Sequence, residues 1–184
     1  MSSYCEYCEE HPEDHYNRNY HDHQYGFPID DDDELFERLI LEINQAGLSW
    51  ITILKKADNF RAAYDQFNIK TVAAYETSEI ERLLANPGII RNQLKIKAAI
   101  ENARRISTIQ LQNGSFKNWL DLNQHLDKAG WVTLFKKNFV FTGGEIVNEF
   151  LTSAGYLPGA HIPSCPVFSK IAKLSPPWMN KEII

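Results

Sequence analysis

DELFERLILEINQAGLSWITIL, residues 33–54, is the stretch from which the rest of the chain can be read. At 100° per residue, Phe36, Leu39, Ile40 and Ile43 fall on one stripe, with Leu35 and Glu42 on its flank, so the segment predicts an amphipathic helix that half-shields Glu42. Gln45-Ala46-Gly47-Leu48-Ser49-Trp50 then supplies a glycine break, a candidate helix cap at Ser49 and an indole within about two turns of that carboxylate. A carboxylate and an indole on one wall suggest a pocket for a ring. On these residues alone, a surface Glu, a helix-ending Gly and a core Trp remain the plainer reading.

Outward from this stretch the chain reads as all-α. Ile51 to Tyr64 and Ile69 to Leu84 carry helical spacing, the latter with Ser78 as N-cap and Glu81 three residues on. Asn86-Pro87-Gly88 reads as a turn. Ile89 to Ile109 forms a long amphipathic helix closed by Asn113-Gly114. Phe116 to Phe135 holds two short helices broken near Gly130. A Thr142-Gly143-Gly144 hairpin leads into a helix over Glu145 to Ala154, ended by Gly155. Residues 1–32 show no sustained periodicity, and the proline-rich remainder is expected to be mostly irregular.

The 184 residues, 43% apolar, suit a single domain spanning 1–184. A formal charge of −5, from 19 Lys and Arg against 24 Asp and Glu, carries no global basic signature. Acid concentrates at Glu9 to Glu37, and cations gather at Lys55-Lys56, Arg91 to Lys97, Arg104-Arg105 and Lys136-Lys137, so a local basic face stays open. With no membrane-length apolar run and no signal-peptide layout, the chain is expected to be soluble and cytoplasmic; a monomer is expected separately.

Three cysteines are too few for a disulfide framework and fit thiols or metal ligands better. Cys8 and His21 near one end, and His161 and Cys165 near the other, supply two thiolates and two imidazoles, the set that fills a tetrahedral zinc. Cys5, at C-x2-C spacing, competes for the place of Cys8. Pro163 makes a regular helix between His161 and Cys165 unfavourable, so that pair should come from a turn. The glycine hairpin opening a helix, with Lys136 and Lys137 ahead of it, exposes amides that suit a phosphate and is similar to the helix-hairpin-helix element of DNA repair proteins.

Cys8, Tyr20-His21-Asp22, Tyr25-Gly26, Leu35-Phe36-Glu37, Leu41-Glu42, the block Gln45 to Thr52, Leu54-Lys55-Lys56, Gly88-Ile89-Ile90-Arg91 with Lys95-Ile96, and His161-x3-Cys165 together resemble the DNA-3-methyladenine glycosylase I family. That family is the zinc-containing branch of the helix-hairpin-helix DNA glycosylases. The resemblance covers roughly residues 8 to 166. It implies a structural zinc on Cys8, His21, His161 and Cys165 that ties segments of about 1–30 and 156–184 together. It implies that a flipped base stacks between Tyr20 and Trp50 while Glu42 reads its edge. Asn17 and Tyr25 stand at pocket positions where the family is expected to carry Tyr and Trp, and Glu10 stands where a Trp is expected.

The implied partner is alkylated double-stranded DNA. Lys136, Lys137 and the amides of Gly143 and Gly144 would meet phosphates, and Leu48 in the Gln45 to Ser49 turn would wedge into the gap left by the base. Glu145 matches the position of the nucleophilic Lys of bifunctional relatives and cannot form a Schiff base, which implies a monofunctional hydrolase. A catalytically silent DNA-damage-binding module is the alternative. A zinc hydrolase would need an open metal position.

Overall fold

The structure, a computed structural model, describes residues 3–180, and all regular structure among them is helical. The order is α1 (Tyr4–Glu10), α2 (His15–His23), α3 (Asp32–Gln45), α4 (Trp50–Leu54), α5 (Ala57–Ala63), α6 (Ile69–Ala73), α7 (Thr77–Ala85), α8 (Gln93–Asn113), α9 (Phe116–Leu122), α10 (Lys128–Asn138), α11 (Gly144–Ser153) and α12 (Pro166–Ala172), with 3-10 turns at Asp65–Phe67 and Pro177–Asn180. No helix among the described residues is long and apolar enough to cross a membrane.

The central helix is α3, packed against α4, α6, α8, α9 and α11. Its stripe of Leu35, Phe36, Leu39, Ile40 and Ile43 is fully buried, and burial of each such side chain contributes about 1.5–3 kcal/mol. The acidic run ahead of it caps helices. Asp31 accepts from the Glu34 amide at the start of α3, Asp32 from the Phe116 and Lys117 amides at the start of α9, and Asp33 from the Ile69 amide opening α6. Carboxylates at helix N-termini satisfy orphan N–H groups and complement the helix dipole, so these charges pin three helices to one another.

The other end of α3 is held by a buried cation. Lys95 on α8 donates from Nζ to the carbonyls of Asn44 and Ala46 at 2.8 and 2.7 Å, meeting the negative end of the dipole. The chain then turns through Gly47, whose φ of +82° is open to glycine and costly for other residues, into α4. A second aromatic core, built from Phe116, Trp119, Phe135, Phe139 and Phe150, fixes α9, α10 and α11 together.

Several local expectations are corrected. Residues 4–10 and 15–23 are helical despite weak periodicity, because a Ser3–Glu6 capping box and an Asp14 N-cap start two short helices. Ile51 to Tyr64 breaks into α4 and α5. The N-cap of α7 is Glu76, boxed with Glu79, not Ser78. Gly130 lies inside α10, where its amide reaches the Asp127 cap at 2.8 Å. The tail is not wholly irregular, because Pro166, with φ pre-set for a first helical turn, opens α12.

Candidate active site and metal centre

A cavity of about 280 Å³ lies where α1, α2, α3, α4 and α11 meet. Its walls are Tyr4 of α1, Tyr20 of α2, Tyr25 just beyond α2, Glu42 and Gln45 of α3, Trp50 of α4 and Glu149 of α11. Glu42 is only 5% exposed, more deeply shielded than the flank position predicts. Burial, with the Glu149 carboxylate adding to it and Arg38 opposing, pushes its carboxyl up to about 8. Arg38 covers the Tyr20 ring at 5.3 Å and donates to the carbonyls of Ser153 and Gln24 at 3.2 and 3.4 Å, so its charge is largely occupied in holding α2 and α11 to α3.

Tyr20 and Trp50 meet edge to face, with centroids 5.0 Å apart and planes at 62°. The expected slot between these rings is therefore not open: a stacked heterocycle between them needs roughly 7 Å, two van der Waals contacts. The Trp50 indole N–H is buried without an acceptor, and Trp50 opens α4 just beyond the Gly47 turn, so no hydrogen bond fixes the indole in this position. Tyr25 tilts against Tyr20 at 5.5 Å, and its hydroxyl donates to Glu149 Oε2 at 3.4 Å.

Asn17 lies behind this wall rather than in it. Its side chain donates to Asp14 at 2.7 Å and accepts from the Tyr4 hydroxyl at 2.8 Å, so Tyr4 occupies cavity wall where the shorter Asn17 cannot reach. Glu10 ends α1, exposed to solvent.

The second feature is a buried cluster of Cys5, His21, His161 and Cys165, whose donor atoms all lie within 4.8 Å of one another. Cys8 is replaced in this set by Cys5. The two lie three positions apart on α1, and packing of that helix against the tail turns Cys5 toward Val167 and Ile171, while the buried Cys8 thiol sits against the Tyr4 hydroxyl. The separations fit a metal. Cys5 Sγ to His161 Nδ1 is 3.6 Å, Cys165 Sγ to His161 Nδ1 is 3.6 Å, and Cys165 Sγ to His21 Nε2 is 3.7 Å. A tetrahedral ion with bonds of about 2.3 Å to sulfur and about 2.05 Å to nitrogen spaces such atoms about 3.6 Å apart. The remaining ring nitrogens are engaged as metal-bound imidazoles require: His21 Nδ1 with Asp22 at 2.7 Å and His161 Nε2 with the Tyr25 carbonyl at 2.8 Å. His161 and Cys165 do come from a turn, with Cys165 at the N-cap of α12. The cluster can hold a metal with all four positions filled by protein.

Beside the cavity, the turn after α3 is closed by the Leu48 amide donating to the Gln45 carbonyl at 2.7 Å and by Gln45 Nε2 donating to the Leu48 carbonyl at 2.9 Å. Leu48 stands 38% exposed at its tip. Lys136 and Lys137 are exposed on the last turn of α10. Gly143 is the N-cap and Gly144 the first residue of α11, with no side-chain cap and open space around Gly143.

Reading the sequence missed two contributors to these sites, Tyr4 and Glu149 as cavity walls, and left Cys5 as a competitor for the ligand position that it holds. The C-x2-C spacing marked Cys5, and no helical periodicity marked Tyr4 or Glu149.

A family model for methyladenine glycosylases matches residues 9–129, which contain Tyr20, Glu42 and Trp50. DNA-3-methyladenine glycosylase 1 of Escherichia coli is 36% identical, over 79% of this chain and 88% of its own length. The DNA-3-methyladenine glycosylase of Haemophilus influenzae is 33% identical over 80% and 90%. Among solved structures, a crystal structure of 3-methyladenine DNA glycosylase I superposes with a TM-score of 0.74 at 35% identity, covering 83% of this chain and 93% of that one. The Staphylococcus aureus 3-methyladenine DNA glycosylase I, solved to describe recognition of 3-methyladenine, reaches a TM-score of 0.77 at 32% identity, over 83% and 91%. With this extent of likeness in sequence and in helical architecture, the chain belongs to the methyladenine glycosylase family, as a DNA-3-methyladenine glycosylase I.

Proposed function

We propose that this glycosylase flips 3-methyladenine out of alkylated duplex DNA and hydrolyses its N-glycosidic bond, with no lyase step. The observation that carries the reading is the aromatic cavity with Glu42 buried in its wall next to an exposed leucine turn. A cavity of about 280 Å³ is sized for one heterocycle, at the small end of ligand sites. The Staphylococcus aureus relative recognises 3-methyladenine, and this chain shares its fold.

A base alkylated at N3 is cationic in DNA. Aromatic faces attract it by cation–π interaction, and a buried carboxylate ionised by its arrival accepts from its edge, whereas neutral adenine gains neither. The same positive charge makes the base a good leaving group, so the protein has mainly to dock the nucleotide, exclude bulk water and tolerate an oxocarbenium-like sugar. Glu145, exposed in the first turn of α11, has no amine with which to trap that sugar, which supports hydrolysis alone. Zinc suits the two-thiolate, two-imidazole set. With four protein ligands it would tie both chain ends to the glycosylase body and leave no position for water, a structural role. The single-domain reading, the monomer and the cytoplasmic setting belong to the same proposal.

Incubation of the protein with methylated duplex DNA tests this reading. Release of free 3-methyladenine and accumulation of intact abasic sites are expected. DNA binding without base release would favour the silent binding module, and strand cleavage at the abasic sites by the protein would overturn the monofunctional assignment.

The proposed DNA face comprises Leu48, the α11 N-terminus and Lys136-Lys137. With the whole chain at −5, affinity must come from this local patch. Replacing both lysines by alanine is expected to weaken binding to all duplex sequences alike. The slope of log affinity against log salt should fall by about two. An unchanged slope would move the footprint elsewhere.

A further inference from the structure

Glu149 brings a second carboxylate into the cavity that the proposed function does not use. It lies on α11, one turn beyond Glu145, and faces Glu42 from a different helix across the same space. Its Oε2 accepts from the Tyr25 hydroxyl and its Oε1 from Asn148 Nδ2 at 3.1 Å, both neutral donors. The charged and titratable groups around the pair are few. Tyr4, Tyr20 and Tyr25 close the sides as neutral phenols, Arg38 bears on Glu42 from one turn earlier in α3, and Lys95 of α8 meets the end of α3. Arg38 is spent on the Ser153 and Gln24 carbonyls and the Tyr20 ring, and Lys95 on the Asn44 and Ala46 carbonyls. No cation among these points into the cavity between the two acids.

Glu42 is buried and Glu149 half-buried in the wall of the same cavity, and a carboxylate beside a buried carboxyl opposes its ionisation until a positive charge joins them. A neutral ring leaves that repulsion in place, and a cationic ring removes it. We propose that Glu149 is a second base-reading residue: its carboxylate across the cavity keeps Glu42 in the carboxylic-acid form until a cationic base enters, when that proton goes to solvent and both acids face the base. Selection of alkylated over ordinary purine then rests on two acids on separate helices. The inference rests on the proposed function. Its charge balance is simple: the singly protonated pair and a cationic base become a doubly ionised pair with the base bound, plus one proton in solution. The raised carboxyl of Glu42 agrees with this arrangement.

Calorimetric titration with the 3,9-dimethyladenine cation, whose N9 methyl stands for the sugar and keeps the positive charge that the free base loses, and with neutral 9-methyladenine, in buffers of different ionisation enthalpy between about pH 6 and pH 9, tests the pair in the wild type, Glu149→Gln and Glu42→Gln. The fixed charge of the first ligand means that a proton released on binding comes from the protein. For Glu149→Gln, affinity for the 3,9-dimethyladenine cation should fall roughly tenfold and 9-methyladenine binding should change little. Proton release should move to lower pH, because Glu42 then ionises without a like-charged neighbour. Glu149→Ser, which cannot mimic the carboxylate hydrogen bonds, should behave the same way, and melting curves report whether either variant is folded. Wild-type affinity and proton release in both variants would reduce Glu149 to a wall. Unchanged base affinity with slowed excision would place Glu149 at the sugar or the attacking water and also overturn the proposal. Failure of the wild type to release 3-methyladenine from methylated DNA is a separate result and would strike the functional reading itself.

Discussion

Glu42→Gln is expected to lower kcat/KM for excision of 3-methyladenine by roughly 10- to 100-fold, the worth of one charge-assisted contact in a shielded site. Binding to a duplex carrying an abasic-site analogue should change little, since the analogue presents no base to the carboxylate. The loss should fall on docking of the cationic base more than on bond cleavage, because positive charge leaves the base for the sugar in the transition state. The fold should survive the isosteric amide. Stability carries a further signature. The folded protein holds the Glu42 proton up to about pH 8, against an ordinary value of 4.5, so an unfolded chain binds fewer protons in that window. The stabilisation from that proton is complete below the unfolded value and is lost as pH rises through the folded one. Wild-type melting temperature should therefore fall relative to Glu42→Gln on going from about pH 5 to pH 9. Full excision activity in the variant, or an equal loss of binding to the base-free analogue, would make Glu42 a structural residue.

The second large effect concerns the metal. Chelation, or Cys5→Ser, His161→Ala or Cys165→Ser, is expected to release bound metal and lower the melting temperature by about 10 °C, through loss of several kcal/mol. The damage should begin at the chain ends. Cys5, Cys165, Val167 and Ile171 form a small apolar cluster separate from the main core, so the body of α3 to α11 keeps its own packing. The cavity should nevertheless suffer, because Tyr4 is the neighbour of Cys5, Tyr20 the neighbour of His21, and the Tyr25 carbonyl holds His161. Cys8→Ser is the decisive companion. It should keep the metal, since the Cys8 thiol lies outside the donor set against the Tyr4 hydroxyl. Metal loss in Cys8→Ser with retention in Cys5→Ser would reverse the assignment; wild-type stability with no metal in the purified protein would remove the site.

The difference between Cys5 and Cys8 shows what sequence could not carry. Both lie on one face of a seven-residue helix, and only docking of the tail decides which thiol meets His161. The helix of residues 33–45, the glycine turn and the placement of Glu42 beside Trp50 were legible, because helical periodicity encodes which side of a helix is buried. Glu149 was not. Val147, Phe150 and Leu151 mark the core face of α11, and Glu149 projects from the opposite side, where a cavity-facing acid has the same spacing as a solvent-facing one. The acidic run at Asp30 to Glu34 was legible as charge but not as three helix caps, since the amides it meets lie up to 85 residues away. Tyr4 could be found only through Asn17: a position too short to reach the cavity implies that another element fills it.

In the proposed function the cavity beside Trp50 receives the flipped base, and a crystal structure of this protein with 3-methyladenine tests that placement most directly. The base is expected against Tyr20 and Tyr25, its amino edge toward Glu42, with Trp50 swung so that the Tyr20–Trp50 separation opens from 5.0 Å to roughly 7 Å. A base found instead in the neighbouring hollow, on the far side of Tyr20 and Trp50 among His15, Tyr16, Asn19 and Arg61, with Glu42 untouched, would contradict it.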